Sequence, residues 1–342
     1  MSLKNSNATT KIPKLLKNKL INKRINNIYK RFEKSLAIKK AYAVAVSGGP
    51  DSLALTFLAK IYSIKNNIKS KFLIVDHKLR PESTKEAEKI KNLLKKFNIN
   101  LEILTWKGKK PLNNIQSLAR QKRYELLIDK CNKLKIDNIL LGHHQDDLFE
   151  NFFIRILRGS GLRGLISLDK ESKFENKKLL RPLLDQKKDD LKYISKIVFN
   201  YYVQDPTNKD EKYLRIKVRN LITELQKNGL DKKKFIKTIK NLKYSNSVVN
   251  FYVNKNLQKN TFFSKKRKKL ILDIVFFQQP YEVVFRALSE SIRLVGAKYY
   301  SPRGKKLDRI IYGIQNQQSF KSTLGGCIIE KVGQTVIIHK EY

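Results

Sequence analysis

Cysteine is almost missing: Cys131 and Cys327 are the only two in 342 residues, and they stand far apart. With no Cys-x-x-Cys, the chain offers no zinc ribbon, no iron–sulfur site and no pair for relaying sulfur. Such low use of the residue fits a reducing compartment. Long apolar runs are also absent, so no window reaches the length of a membrane span and no membrane partner is expected. Residues 1–40 lack an apolar stretch of the secretory type, and Glu33 is their only acid. They read as a basic helical leader of the mature protein, with a transit peptide as the alternative. Neither G-x-x-x-x-G-K-S/T nor G-x-G-x-x-G occurs, which excludes the two commonest phosphate loops. No internal repeat is visible. Acid is scarce as well: 30 Asp and Glu face 73 Lys and Arg, a formal charge of +43. That imbalance points to a polyanionic partner, nucleic acid first, although joint richness in Lys, Asn, Ile, Phe and Tyr also carries a coding bias.

Against these absences, 41% hydrophobic content and the length allow a sizeable core and two domains. After the leader come four strand–helix pairs. The strands are 41–46, 71–75, 100–106 and 138–141, and the second pair's helix opens at Ser83-Thr84-Lys85-Glu86, a capping-box pattern. Such alternation predicts a parallel sheet with right-handed crossovers, an α/β Rossmann-like architecture. From about Asp185 the pattern turns mostly helical, with helices near 187–201, 213–226, 231–257, 280–296 and 303–316. A basic run, Lys265 to Lys269, falls between two of these. The pairs 327–330 and 335–338 read as a closing β-hairpin. The domains expected are the leader at 1–40, an α/β domain at 41–222, and a helical, basic domain for the nucleic acid at 223–342.

Chemistry concentrates at the strand ends, where open parallel sheets bind their ligands. The first strand runs into Ser47-Gly48-Gly49-Pro50-Asp51-Ser52, the second into Asp76-His77, and the fourth into Gly142-His143-His144-Gln145-Asp146-Asp147. A glycine-rich strand-to-helix turn can aim backbone N–H groups and a helix dipole at phosphate; an ordinary tight turn is the bland alternative. Without a Walker lysine, the loop suits retention of a pyrophosphate leaving group while the α-phosphate is attacked. Three of the four histidines lie at these strand ends, which packing does not explain. If the fourth strand continued, His143 and His144 would point to opposite sides, so one of them is expected to be structural. Adjacent histidines make poor zinc spacing. Arg155 and Arg158 could serve only the C-terminal end of their helix.

The hexapeptide resembles the SGGxDS loop of the N-type ATP pyrophosphatases. Further motifs follow in order: Val75-Asp76-His77-Lys78-Leu79-Arg80, Ala119-Arg120-Gln121-Lys122-Arg123-Tyr124, Gly142 to Asp147, Arg155 to Gly161, Arg181-Pro182-Leu183-Leu184 and Asp205-Pro206-Thr207-Asn208. Together they resemble the tRNA(Ile)-lysidine synthetase family over residues 41 to about 220. Thr323 to Cys327 and the hairpin resemble its C-terminal part. One departure is Glu150-Asn151, where the family usually has Glu-Thr.

The resemblance implies a ligase, cytoplasmic or, as the minor alternative, in an organelle stroma. It would adenylate the wobble cytidine of isoleucine tRNA with a CAU anticodon using ATP, then join free L-lysine to it. It implies ATP contacts from Ser47, Gly48, Gly49, Pro50, Asp51, Ser52, Asp76, His77, Gly142 and His143. Catalytic carboxylates would be Asp51, Asp146 and Asp147, the same three being candidate Mg²⁺ ligands, with Asp51 and Asp147 foremost. Arg120, Arg123, Arg155, Arg158, Arg215 and Arg219 are candidates for tRNA or lysine contacts. A homodimer is a further expectation. Rival readings are another tRNA-modifying ATP pyrophosphatase, such as a sulfurtransferase, and a non-catalytic RNA-binding protein.

Overall fold

The computed structural model describes residues 12–108, 115–203, 214–264, 269–298, 301–302 and 304–341. Two compact units divide after Gly229. That is later than the division expected at 222, because the last helix of the first unit runs on to Lys227. The motif Asp205–Asn208 and most of the basic run after Ser264 lie outside the described residues. Among the described residues no helix is long and apolar enough to cross a membrane.

The first unit opens with α1 (Lys14–Leu20) and α2 (Lys23–Ser35), then β1 (Tyr42–Val46), α3 (Pro50–Lys65), β2 (Ser70–Asp76), α4 (Ser83–Lys95), β3 (Leu101–Thr105), α5 (Ile115–Lys133), β4 (Asn138–Leu140) and α6 (Gln145–Leu157). It continues with α7 (Leu162–Leu165), β5 (Glu171–Phe174), β6 (Lys177–Leu180), α8 (Lys188–Phe199) and α9 (Leu214–Lys227). The sheet order is β3-β2-β1-β4-β6-β5. All neighbours are parallel except the edge pair β5 and β6. The α/β fold expected from the sequence is present. Strand order runs outward in both directions from β1, so the topological switch point lies between β1 and β4, where such sheets take ligands.

β1 is buried because neighbours cover both its edges and helices cover its faces. α3 is apolar nearly all round, with Leu53, Leu55, Phe57, Leu58 and Ile61 fully buried, as a helix inside a core should be. Each such side chain contributes roughly 1.5–3 kcal/mol through its removal from water. α2 joins the same core through Ile25, Ile28, Tyr29 and Phe32, so the described part of the basic leader is integral to this unit. Strands β5 and β6 escaped the sequence reading because their residues look like surface: Lys177 is buried in β6 and its ammonium lies 3.5 Å from Asp137.

The second unit contains α10 (Lys232–Asn260), β7 (Thr261–Ser264), β8 (Lys269–Asp273), a 3₁₀ turn (Ile274–Gln278), α11 (Tyr281–Val295), α12 (Lys305–Asn316), β9 (Phe320–Leu324), β10 (Cys327–Val332) and β11 (Thr335–Lys340). The expected hairpin forms, and it lies inside a five-stranded antiparallel sheet of order β7-β8-β11-β10-β9. Its core joins Phe276, Val284, Leu288, Ile311, Ile329 and Ile338.

The segment after α2 is tied to α3 by one hydroxyl. Tyr62 donates to the Leu36 carbonyl at 2.7 Å and lies 3.1 Å from that of Ile38, all buried. Tyr62→Phe leaves those carbonyls without their donor, and should lower stability by about 1–2 kcal/mol. The check is a lower urea midpoint at unchanged slope.

Candidate active site

The turn from β1 to α3 folds around Gly48, whose φ is +79°. A Cβ there would sit 3.0 Å from Val203 Cγ2 and 3.1 Å from Ile90 Cγ1, so glycine is required twice, by backbone angle and by space. The Val203 N–H donates to the Gly48 carbonyl at 2.9 Å, laying the chain after α8 against the turn. Ser52 Oγ accepts from the Ser47 N–H and from the Ser47 hydroxyl, both at 3.1 Å, and donates to the Gly49 carbonyl at 3.0 Å. Both hydroxyls therefore close the turn. Pro50 starts the helix, and the Asp51 and Ser52 N–H groups lie in its first turn, where no intrahelical acceptor exists. A loop of this shape can hold phosphate oxygens with backbone donors.

The end of β4 leans on the same helix. At Gly142 a Cβ would approach Asp51 C, Ser52 Cα and Ser52 N at 3.3 Å each. β4 stops at Leu140, so His143 and His144 do not alternate as strand residues; His144 is instead the N-cap of α6. Its Nδ1 accepts from the Asp146 N–H at 3.2 Å, and its backbone N–H donates to Asp147 Oδ2 at 2.9 Å, a capping box. The ring is 3% exposed, and its Nε2 faces Asp51 Oδ2 at 3.5 Å and Asp147 Oδ2 at 3.7 Å. Burial works against the imidazolium, but the hydrogen bond to Asp51 and the charges of Asp147 and Asp51 outweigh it and raise the pKa. Asp51 Oδ1 is buried and has no hydrogen-bond partner.

Asp147 is committed on both oxygens, one to the cap and the other to Arg215 Nη2 at 3.0 Å. Burial would raise its pKa, yet His144, His143 and Arg215 together hold it below the usual carboxylate range. One turn further along α6, Glu150 is 2% exposed and grips α9. It accepts from Arg215 Nε and Arg219 Nε, each at 2.6 Å. The chain of contacts Asp51, His144, Asp147, Arg215, Glu150, Arg219 thus runs unbroken from the turn to α9. The sequence reading missed two links, His144 and Glu150. The available signal was spacing: Asp147 and Glu150 at i, i+3 and Arg215 and Arg219 at i, i+4 form complementary faces.

The remaining candidates divide. Asp76 is buried and its carboxylate accepts from Lys78 N (3.0 Å), Ser83 Oγ (2.8 Å) and Thr84 Oγ1 (2.6 Å), holding the start of α4. His77 Nε2 accepts from Arg123 Nε at 3.3 Å. Burial and then Arg123 push its pKa down to about 4. Burial likewise pushes His143 down to about 4, against the pull of Asp147. Arg120 lies over the Tyr124 ring at 5.2 Å on α5. Arg155 and Arg158 close the far end of α6, about 13 and 17 Å along the helix from Asp146 and Asp147. Among the described residues no group of three or more acids, histidines or cysteines could hold a metal unaided. The orphaned Asp51 oxygen beside a phosphate-type turn instead fits Mg²⁺, which takes one or two carboxylates and completes its shell with substrate oxygens and water. Cys131, which burial pushes up to about 11, and Cys327 are both buried in different units, which leaves no cysteine pair.

Comparison with known proteins agrees with this geometry. The family described as a PP-loop domain matches residues 17–226. The tRNA(Ile)-lysidine synthase of Orientia tsutsugamushi is 36% identical over 315 residues, 88% of this chain and 69% of its own. That of Wolbachia pipientis is 32% identical over 308 residues, covering 87% and 70%. Among solved structures, the U34-tRNA thiolase NcsA of Methanococcus maripaludis superposes with a TM-score of 0.56 at 18% identity, over 65% of this chain and 78% of that one. This last likeness concerns the fold.

Two outcomes follow from the charges. Removing both arginines (Arg215→Ala with Arg219→Ala) strands Glu150 as a buried unpaired carboxylate, which should cost about 3–5 kcal/mol. Adding Glu150→Gln should return part of it in a denaturation series. As for pH, the unfolded chain protonates histidine near 6.5, whereas His77 and His143 resist until about 4. Stability should therefore fall as pH drops from about 6.5 to about 4, with a shallower fall in His77→Gln. His144, with its raised pKa, contributes fully below 6.5 and adds no slope in that window.

Proposed function

The chain belongs to the tRNA(Ile)-lysidine synthase family of PP-loop proteins, and from that footing we propose how its residues make lysidine. The enzyme is an ATP-dependent ligase that forms a carbon–nitrogen bond on isoleucine tRNA. First, the C2 oxygen of the wobble cytidine attacks the α-phosphorus of ATP, and the bond to the β-phosphate oxygen breaks to release pyrophosphate. Then the amine of lysine attacks C2, the bond from C2 to the AMP oxygen breaks, and the amine gives up its proton. The tRNA, with its CAU anticodon converted, reads AUA and accepts isoleucine.

The observation that carries this reading is the buried, unpartnered Asp51 oxygen at the mouth of the turn. Backbone N–H groups of Gly48, Gly49, Asp51 and Ser52 hold the pyrophosphate part of ATP as charge builds on it. Asp51 Oδ1 would hold Mg²⁺, which supplies further neutralisation of the leaving group. His144 fixes the other Asp51 oxygen from Nε2 and so leaves Oδ1 as the one without a partner. For lysine, the set of Asp147, Glu150, Arg215 and Arg219 offers both signs that a zwitterion needs. Asp51 or Asp147 takes the ammonium and the partly exposed guanidinium forks take the carboxylate. A carboxylate that first orients an ammonium is also placed to accept its proton. Phosphate contacts from the +43 surface position the tRNA, and Arg120, Arg123, Arg155 and Arg158 are basic side chains for that purpose. We place the reaction in the cytoplasm, where two free buried cysteines stay reduced.

The test is direct. Purified protein with Mg²⁺, ATP, labelled lysine and an isoleucine tRNA transcript should incorporate lysine and release AMP and pyrophosphate. No incorporation at any Mg²⁺ concentration would sink the proposal. Asp51→Ala should lower AMP release by at least roughly 10²-fold while leaving tRNA affinity nearly unchanged; collapse of tRNA binding instead would make Asp51 structural.

A further inference from the structure

α10 carries eight lysines and no acid over its length. Val253 on its buried side joins the second unit's core, and buried Asn256 donates to the Phe276 carbonyl at 3.1 Å. On another side, Lys237, Asn241, Tyr244, Val248, Phe251 and Lys255 recur at alternating steps of four and three. That spacing makes one continuous stripe, about 27 Å long. Large rings are rarely left in water without use, yet Tyr244 is 58% and Phe251 62% exposed. Lys240 sits over the Tyr244 ring at 5.6 Å.

Charge decides the occupant. A second copy would set two acid-free lysine helices side by side, and like charges at that distance repel. An anionic lipid surface calls for a broad apolar face with lysines along its flanks. Here the apolar part is narrow, Tyr244, Val248, Phe251 and Tyr252, bordered by Ser245, Ser247 and Asn254, and lysines stand in line with the rings at both ends. Rings alternating with in-line cations suit unpaired nucleotides, whose bases stack while their phosphates meet ammonium groups.

We infer that the Tyr244–Phe251 stripe of α10 is a stacking surface for an unpaired stretch of RNA. This rests on the tRNA reading above and adds to it the form of RNA bound. Base stacking on an aromatic side chain contributes about 1–3 kcal/mol per base, so removing both rings should weaken single-strand binding by at least about tenfold.

Binding is measured on the full chain by fluorescence anisotropy without ATP or lysine. The probes are a labelled ten-nucleotide single-stranded RNA, a duplex of equal length, and vesicles containing phosphatidylserine and phosphatidylcholine. In Tyr244→Ala with Phe251→Ala, single-strand affinity should drop tenfold or more, duplex affinity should hold, and the salt slope should stay as in the parent. In Lys237→Gln with Lys255→Gln the slope should fall by about 1.4. All four residues are exposed, so melting temperature should not move in either variant. Unchanged single-strand affinity without the rings overturns the inference, as does a loss confined to vesicle binding. Lysine incorporation is scored separately: a chain that fails to make lysidine but loses single-strand binding with its rings refutes the functional reading and leaves this one standing.

Discussion

Glu150 is a carboxylate with almost no access to water, and a charge in that position must be met by charges of the other sign. Two guanidinium groups from α9 meet it. Everything around the candidate site hangs on that pairing. Arg215, once drawn in, also reaches Asp147. Asp147 closes the cap that turns His144 inward, and His144 faces Asp51. A helix contributed from 65 residues away thereby determines how one carboxylate stands at the head of α3.

The phosphate turn is built on a separate logic, that of space. Gly48 allows Val203 and Ile90 to close over the loop, and Gly142 lets β4 press on the first backbone atoms of α3. The Ser47 and Ser52 hydroxyls are turned onto each other and onto the Gly49 carbonyl. What is left facing outward is backbone N–H and the Asp51 carboxylate, which suits an anion and its counter-cation.

Much of this was legible from residue order. The apolar run into a glycine pair announced β1, the turn and α3, and the resemblance of six ordered motifs announced the chemistry. Two kinds of information were not legible. One was burial that contradicts polarity: Lys177 lies inside β6 because Asp137 is near enough to pair with it, and no local pattern reveals that. The other was distance. Glu150 and Arg215 each look like ordinary helix-surface residues until the fold brings them to 2.6 Å. His143 and His144 were expected to differ by alternation along a strand, but the strand has ended at Leu140 and a helix cap sets the difference.

α3 is the most enclosed helix of its unit, and the phosphate turn is its first turn. Amide hydrogens inside such a helix exchange with solvent only when the whole unit opens, whereas those of helices with one wet face exchange through smaller local openings. The Asp51 end of the site therefore belongs to the slowest-exchanging part of the protein. α9, bound to α6 by partly exposed arginines, has such a wet face and exchanges through those smaller openings. The turn is then the fixed part of the candidate site, and the arginine side is the part that opens first.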